Sequence, residues 1–220
     1  EISCSLVGSE MCIRDRSTLI NLIPRFYDVT QGSVEVDGRN VKDYSFKQLR
    51  KQIGIVPQQS ILFKGTVRDN MKWENPDLSD EDIITALKNA QAYEFVSKLP
   101  MGLDSHVEQG GKNFSGGQRQ RLCIARAIAA QPKVLILDDS FSALDFATDA
   151  ALRKALRQYT HEMTVIIVTQ RCSTIMNSDL ILVLDDGMLV GKGTHKELLK
   201  NCETYKEICL SQLSKSEVEV

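Results

Sequence analysis

Long hydrophobic runs are missing from this 220-residue sequence. No apolar stretch approaches the roughly 20 residues that a membrane-spanning helix needs, and no secretory signal with basic, apolar and cleavable regions is recognisable. We therefore expect no membrane helix within these residues. An excess of positive charge is also missing, because the formal net charge is -2 and both signs are interspersed. A nucleic-acid partner is accordingly not expected.

Closely spaced metal ligands are scarce as well. The six cysteines include no C-x-x-C pair, and the three histidines lie far apart in the sequence. Neither residue type therefore has the spacing of a zinc site, and we expect the cysteines to be reduced thiols. With 42% hydrophobic and 25% charged residues, the composition is that of a globular domain with one sizeable core.

The second half of the sequence alternates strands and helices. Residues 133–139, KVLILDD, form an apolar run that ends in two carboxylates, which is typical of a strand buried on both faces of a parallel sheet. The elements predicted after it are a helix over 147–159, strands over 163–169 and 180–187, and a helix over 195–210. This order predicts a doubly wound α/β domain.

The first half is more mixed. Apolar residues have helical spacing over 17–26, an alternating stretch at 34–38 predicts a strand and turn, and QIGIVPQ at 52–58 predicts a short strand. Between about 60 and 130 the pattern is mostly helical, with Ser79 as the expected cap of one helix. We interpret this region as an α-helical insert.

The stretch NFSGGQRQRLCIARAIAAQPKVLILDDSFSALD carries the most specific chemistry. Ser115 and Gln118 have the spacing of a capping box, which by itself indicates only a capped helix. The interpretation that we favour adds anion binding to this cap. Gly116 and Gly117 leave backbone N–H groups exposed at a helix N-terminus, where anions bind readily. The buried strand that follows ends at Asp138, and a carboxylate in that position holds nucleotide-bound Mg²⁺ in P-loop folds.

In this order and spacing, FSGGQ, VLILDD and SALD resemble the signature, Walker B and D-loop motifs of an ATP-binding cassette (ABC) domain. Further matches run from residue 17 to about 213. VPQ resembles the Q-loop, LFKGTVRDN the segment after it in exporters, VEQGG the exporter X-loop and LDDGMLVGKGTHKEL the last sheet and helix. The resemblance implies an α/β P-loop NTPase (RecA-like) core, an ABC-type helical subdomain over about 60–130 and a partial antiparallel β element, with the N-terminal strands truncated.

The resemblance also implies a set of contacts to two cofactors, ATP and Mg²⁺. Ser17 resembles the Mg²⁺-ligating serine of the P-loop, with Thr18 beside it as a further nucleotide contact. Gln58 resembles the Q-loop glutamine that senses both the metal and the membrane domain. Asp138 resembles the Walker B aspartate that binds the metal.

ABC sites form between two cassettes, so the resemblance implies partners. Ser115, Gly116, Gly117 and Gln118 would contact the γ-phosphate of ATP bound to a partner domain. Asp145 would lie at the same interface. The implied partners are a second ABC cassette and the transmembrane domain of an exporter, upstream in the native chain. The implied location is the cytoplasmic face of a membrane, within an integral membrane transporter.

Two positions depart from the family's hydrolytic enzymes. Asp139 stands where those enzymes have a glutamate, and Gln170 stands where they have a histidine. A general base must lie within about 2.6–3.2 Å of the water that it activates, and aspartate is one methylene shorter than glutamate. Glutamine can hydrogen-bond a phosphate oxygen but cannot take up a proton near neutral pH. The pair resembles the degenerate half of a heterodimeric ABC exporter, with a slow site of its own and a signature that completes the site of a different partner.

Three alternatives remain open at this point. Asp139 and Gln170 could each be an isolated tolerated substitution. The chain could be a non-catalytic regulatory ABC cassette, which predicts no ATPase activity even with a competent partner. It could also be a soluble ABC ATPase of repair or translation, although those proteins usually lack the exporter-like segments.

The P-loop itself is disrupted. The pattern G-x-x-x-x-G-K-[ST] has seven steps from its first glycine to its hydroxyl residue. Nine steps separate Gly8 from Ser17, the second glycine is missing, and Arg16 stands in place of the lysine. Without glycines the backbone does not readily turn its N–H groups toward phosphates, and Asp15 adds negative charge. We expect the chain with this loop to bind ATP poorly and to be inactive.

The segment LVGSEMCIRDR resembles the in-frame translation of a transposase-based sequencing-library adapter. The adapter's end, ATG TGT ATA AGA GAC AG, encodes Met-Cys-Ile-Arg-Asp and two bases of the next codon. We therefore expect residues 1–16 to be a non-native scar, with an evolved loss of the P-loop as the alternative. The expected boundaries are then a nucleotide-binding domain over 17–213 and a frayed tail over 214–220.

Overall fold

The computed structural model describes residues 3–7, 13–160 and 162–213, with side chains from residue 17 onward. The predicted frayed tail at 214–220 and residues 1–2 and 8–12 of the predicted scar lie outside the described residues. The strands of the described part are β1 (Ser3–Val7), β2 (Glu35–Val36), β3 (Arg39–Asn40), β4 (Ile53–Val56), β5 (Gly65–Thr66), β6 (His106–Val107), β7 (Val134–Asp138), β8 (Thr164–Val168), β9 (Leu180–Asp185) and β10 (Met188–Gly193). Its helices are α1 (Ile13–Leu22), α2 (Phe46–Arg50), α3 (Val67–Met71), α4 (Asp80–Asn89), α5 (Tyr93–Ser97), α6 (Gly116–Ala129), α7 (Phe146–Tyr159), α8 (Cys172–Ile175), α9 (His195–Asn201) and α10 (Glu203–Gln212).

A six-stranded sheet has the order β10-β9-β1-β8-β7-β4. Strand β1 is parallel to β8 on one side and to β9 on the other, whereas β10 is antiparallel to β9. Leu135, Ile136 and Leu137 in β7 are fully buried, as the uninterrupted apolar run predicts. The predicted α/β fold with a parallel sheet and some antiparallel strands is confirmed. The main chain of β1, within the segment predicted to be non-native, lies in the middle of this sheet.

The chain divides into two compact units. The first consists of the residues up to 53, residues 136–139 and the residues from 164 onward. The second consists of residues 54–135 and 140–163, and it contains helices α3 to α7.

Each unit has a hydrophobic core of its own. In the second unit α4 packs against α6 and α7, and Ile83, Leu87 and Ile124 are fully buried there. In the first unit α10 packs against α8 and α9, and Ile181 of β9 and Tyr205 of α10 belong to one buried cluster.

The prediction of one continuous helix over 195–210 is wrong. Helices α9 and α10 are separated at Cys202, whose backbone is extended with φ -130° and ψ 102°. Cys202 is buried beside β10, where a Cβ atom added to Gly191 would lie 2.7 Å from the Cys202 sulfur. The segment contains no local helix breaker. The interruption instead coincides with the close approach of Cys202 to β10.

Two further boundaries differ from the predicted ones. Helix α1 begins at Ile13 and ends at Leu22, two residues before Pro24, because the position before a proline is biased away from helical backbone. Strand β9 ends at Asp185 instead of residue 187. Asp186 and Gly187 have φ of 44° and 73°, which form the tight two-residue turn into β10.

Candidate functional site

Ser17 and Asp138 meet in the first unit although they are 121 positions apart in sequence. The Ser17 hydroxyl on α1 donates a hydrogen bond of 3.1 Å to Oδ2 of Asp138, the last residue of β7. Neighbouring oxygen ligands of an octahedral Mg²⁺ lie about 2.9 Å apart, because each metal–oxygen bond is about 2.0–2.1 Å. The spacing and chemistry of these two oxygens therefore fit a Mg²⁺ ion. Thr18, the residue after Ser17, is exposed.

Asp139 lies directly after β7 in a turn of unusual backbone conformation. Its φ is +46°, in the left-handed region that aspartate tolerates better than most residues. Its N–H donates a hydrogen bond of 2.8 Å to the carbonyl of Val168, the last residue of β8. This bond places the ends of β7 and β8 at the same edge of the sheet. Ligands of open α/β sheets bind at the carboxyl ends of the strands, so the edge is a suitable place for chemistry.

Gln170 follows β8 at this edge, in a loop whose main chain is held by Gln212 of α10. The Gln212 side-chain nitrogen donates a bond of 2.7 Å to the Gln170 carbonyl, and its oxygen accepts a bond of 3.0 Å from the Cys172 N–H. One amide thus bridges both sides of the loop. Sequence reasoning missed Gln212, because no local pattern pairs position 212 with position 170.

Ser115 caps the N-terminus of α6 in the second unit. Its hydroxyl accepts a bond of 3.2 Å from the Gln118 N–H, and the Gln118 side chain accepts a bond of 2.9 Å from the Ser115 N–H. The predicted capping box is confirmed. Gly116 and Gly117 are the first two residues of this 14-residue helix, and Gly116 is exposed. The positive end of the helix dipole and side-chain-free backbone therefore coincide there.

The loop that contains Asp145 packs against the same helix. The buried Gln120 side chain of α6 accepts a bond of 3.3 Å from the Ala143 N–H. A Cβ atom added to Gly117 would lie 3.2 Å from the Ala143 carbonyl oxygen, so the two backbones are in close contact. Asp145 itself caps α7 by accepting a bond of 3.0 Å from the Thr148 N–H, and this bond lowers the pKa of the Asp145 carboxyl.

Gln58 is exposed and follows β4 in the second unit. The end of β4 is tied to the segment after β7, because the fully buried Ser140 hydroxyl donates a bond of 3.1 Å to the Val56 carbonyl. Sequence reasoning did not single out Ser140. The predicted site residues thus divide into two groups, with Ser17, Thr18, Asp138, Asp139 and Gln170 in the first unit and Gln58, residues 115–118 and Asp145 in the second.

The described residues contain neither a self-sufficient metal-binding cluster nor a membrane-spanning helix. Within residues 13–160 and 162–213 no group of three or more histidine, cysteine, aspartate or glutamate side chains could hold a metal ion by itself. A Mg²⁺ ion usually keeps several waters and takes phosphate oxygens from its nucleotide, so it does not need such a cluster. Among the helices in the described part of the chain, none combines the length and the apolar character needed to cross a membrane.

Comparisons with known proteins agree with the motifs. A family model described as "ABC transporter" matches residues 16–142 of the chain. An uncharacterized ABC transporter ATP-binding protein of Mycobacterium bovis is 48% identical over 200 residues, which are 90% of this chain and 34% of that protein. A Staphylococcus aureus protein named as a multidrug export ATP-binding/permease protein is 45% identical over 193 residues, which are 88% of this chain and 33% of that protein.

A solved structure is similar over almost the whole chain. The structure of a bacterial Atm1-family ABC exporter with ATP bound superposes with a TM-score of 0.91 at 35% sequence identity, and it covers 96% of this chain and 37% of the exporter chain. The present chain spans about a third of the length of the curated relatives that it matches.

Proposed function

Because the chain belongs to the ABC transporter family, we propose that its native form, with an intact P-loop, binds Mg²⁺·ATP and couples ATP binding and hydrolysis to the export of a substrate across a membrane. The chain is a nucleotide-binding domain of the exporter type. The observation that carries the proposal is the hydrogen bond between Ser17 and Asp138, which supports a shared metal site. When bound there, Mg²⁺ would neutralise negative charge on the β- and γ-phosphates. Gln58 is assigned to the same metal and Thr18 to the nucleotide.

The N-terminus of α6 is assigned to the ATP of a second cassette. Its capped end, its two leading glycines and its dipole support the binding of a phosphate brought by another domain. Asp145 is assigned to the same interface, where its contact with α7 keeps the adjoining loop in place. One chain then supplies half of each of two sites.

We assign slow ATP hydrolysis to the site that this chain's own Ser17 and Asp138 would form. Phosphoryl transfer depends mostly on positioning and charge stabilisation, so with an intact P-loop Ser17 and Asp138 would hold the metal of a bound nucleotide. Hydrolysis also needs a water to be oriented and deprotonated, and Asp139 has a shorter reach than the usual glutamate. Gln170 can donate a hydrogen bond to a phosphate oxygen but cannot act as an acid or a base. A different subunit, with the usual glutamate and histidine, would then perform most of the hydrolysis.

The remaining partner is a transmembrane domain. The Staphylococcus aureus relative is named as both ATP-binding protein and permease, and this chain matches only 33% of it. We infer that the native protein carries its membrane domain upstream and that the present domain works at the cytoplasmic face. The membrane domain, rather than this domain, would choose the exported compound.

Residues 1–16 are proposed to be non-native, so that the chain with its present loop is inactive. Arg16 then stands where the native P-loop has lysine, and Ser17 is the first wholly native residue. Sequencing the genomic locus without transposase-based library chemistry tests this proposal. An uninterrupted reading of the same sixteen codons in genomic DNA would contradict it.

Slow turnover can be tested in a full-length exporter with a rebuilt P-loop and its partner subunit. The partner's Walker B glutamate is first replaced by glutamine, so that the remaining ATPase activity comes from this chain's own site. We expect the D139E/Q170H variant to raise that activity by about 10²-fold or more, since a well-placed general base contributes 10²–10⁴-fold. The matched control D139N/Q170H supplies the histidine without the carboxylate and is expected to show no rise in that activity.

One rival function is favoured by the same two residues. A regulatory cassette would bind ATP without hydrolysing it, and Asp139 and Gln170 agree with that role. It predicts no ATPase activity in any pairing with a competent partner, whereas the exporter proposal predicts activity that depends on the partner's glutamate. Equal ATPase activity of the D139E/Q170H variant and its control would favour the regulatory cassette.

A further inference from the structure

Two buried cysteines lie side by side in the first unit. Cys172 is the first residue of α8 and Cys209 lies in α10, and both are fully buried. Their sulfur atoms are 2.8 Å apart. A disulfide bond is about 2.05 Å long, so the two sulfurs need to approach by only about 0.8 Å to become bonded. The fold therefore brings this pair of thiols almost to bonding distance.

The neighbours of this pair make one sulfur the better nucleophile. The hydrogen bond between the two thiols, together with one to the Tyr205 hydroxyl, lowers the pKa of Cys209 despite its burial. The pKa of Cys172 is raised, because it shares a proton with Cys209 and lies in apolar surroundings. Tyr205 is in turn hydrogen-bonded to Nδ1 of His195 at 2.8 Å. Oxidation of such a pair starts from the thiolate of the cysteine with the lower pKa, which here is Cys209.

We propose that Cys172 and Cys209 form a redox-convertible site that a peroxide oxidises to a disulfide and a dithiol reductant restores. In the first step the Cys209 thiolate attacks one peroxide oxygen, the O–O bond breaks, and a sulfenic acid and hydroxide form. In the second step the Cys172 sulfur attacks the sulfenic sulfur, the S–O bond breaks, and a second hydroxide leaves. Protons from the two thiols convert both hydroxides to water. Overall, two thiols and one H₂O₂ give one disulfide and two water molecules.

Oxidation changes how the loop after β8 is held. The Cys172 N–H and the Gln170 carbonyl are both bonded to the side chain of Gln212, three residues beyond Cys209 in α10. A covalent bond between α8 and α10 makes opening of this clamp more costly, because the two helices can no longer separate. The oxidised protein therefore has a stiffer Gln170 loop than the reduced protein. The inference does not depend on the proposed function, since it concerns thiols and loop mobility only.

The burial of both sulfurs sets the rate of this reaction. A peroxide reaches them only when α10 opens locally, so oxidation is slower than that of an exposed thiol of equal pKa. The exposed side chains of α10, among them Leu210 at 42% exposure, indicate that one face of the helix has no cover within the described residues.

Peptide mapping of the full chain tests the proposal. The reduced chain is treated with H₂O₂, free thiols are blocked with N-ethylmaleimide, and the digest is searched for linked peptides. We expect a peptide pair that joins Cys172 to Cys209, lighter by about 2 Da than the two reduced peptides together and lost on treatment with dithiothreitol. C202S is the matched control, because Cys202 is a buried cysteine outside this pair, and it is expected to form the same linked peptide.

Hydrogen exchange and thermal unfolding provide two further measurements of the same proposal. Hydrogen exchange at the Cys172 amide is expected to slow by about 10-fold on oxidation, and the midpoint of thermal unfolding is expected to rise by about 5–10 °C. The C209A variant should show neither change. Links that join either cysteine to a third one, both sulfurs blocked by N-ethylmaleimide after peroxide treatment and unfolding, or an unchanged exchange rate in the linked protein would each overturn the proposal.

Discussion

Alanine at Gly116 and alanine at Gly117 are expected to change the free energy of unfolding in opposite directions, although the two glycines are neighbours at the start of α6. At Gly116 the nearest atom to an added Cβ is the Ala143 Cβ at 3.9 Å, an ordinary contact. Alanine is favoured over glycine in a helix by up to about 1 kcal/mol, so G116A should stabilise the protein by about 0.5–1 kcal/mol.

At Gly117 the same methyl group meets the backbone of the neighbouring loop. It would lie 3.2 Å from the Ala143 carbonyl oxygen and 3.5 Å from a methyl carbon of Leu144, so the loop must give way by a few tenths of an ångström. Such overpacking costs about 1–3 kcal/mol, which exceeds the gain in helix propensity. G117A should therefore be less stable than the original protein by about 0–2 kcal/mol.

Urea unfolding of both variants, followed by circular dichroism, measures this difference. We expect the two to differ by about 0.5–3 kcal/mol at an unchanged m value, and by roughly 2–4 °C in melting temperature for each kcal/mol. Equal stability of G116A and G117A would refute the reasoning, because it would mean that the Ala143 loop does not press on α6.

Three further predictions concern other parts of the molecule. Replacing Ser140 by alanine leaves the Val56 carbonyl without its buried donor and should lower the free energy of unfolding by about 1–3 kcal/mol, whereas alanine at the exposed Ser33 should leave a urea-unfolding curve unchanged. Burial lowers the pKa of His195, so the unfolded chain binds its proton more readily and stability should fall as pH drops below 6.5. The decline should be shallower in H195N, and an identical pH dependence would contradict this. In a chain with a rebuilt P-loop, D138N should weaken ATP binding in calorimetry about 10- to 100-fold with Mg²⁺ and little without it, and equal losses in both conditions would count against a metal ligand.

Local patterns predicted several elements because their stabilising contacts lie within a few residues. The capping box of Ser115 and Gln118 spans three positions, and Ser79 caps α4 in the same way. The apolar run before Asp138 is short and rich in branched residues, which favours a strand buried on both faces. The family motifs are also short, and their order and spacing along the chain together identify the family.

Other features depend on residues that are far apart in sequence. The interruption at Cys202 lies in a segment with helical periodicity and no proline or glycine, and only the neighbouring strand accompanies it. The contact of Gln212 with the Gln170 loop joins positions 42 apart, and nothing in the sequence around either glutamine predicts it. Cys172 and Cys209 likewise read as two unrelated thiols until the helices that carry them are packed together.

The sequence by itself therefore determined the fold class and the family, and it predicted which residues bear the chemistry, including Asp139 and Gln170. Those properties follow from residue type and spacing along the chain. Only the tertiary structure decided which of these residues touch, as in the 3.1 Å bond between Ser17 and Asp138. The physical reason is that contacts across 121 positions arise from the packing of whole elements, whose joint geometry no short stretch encodes.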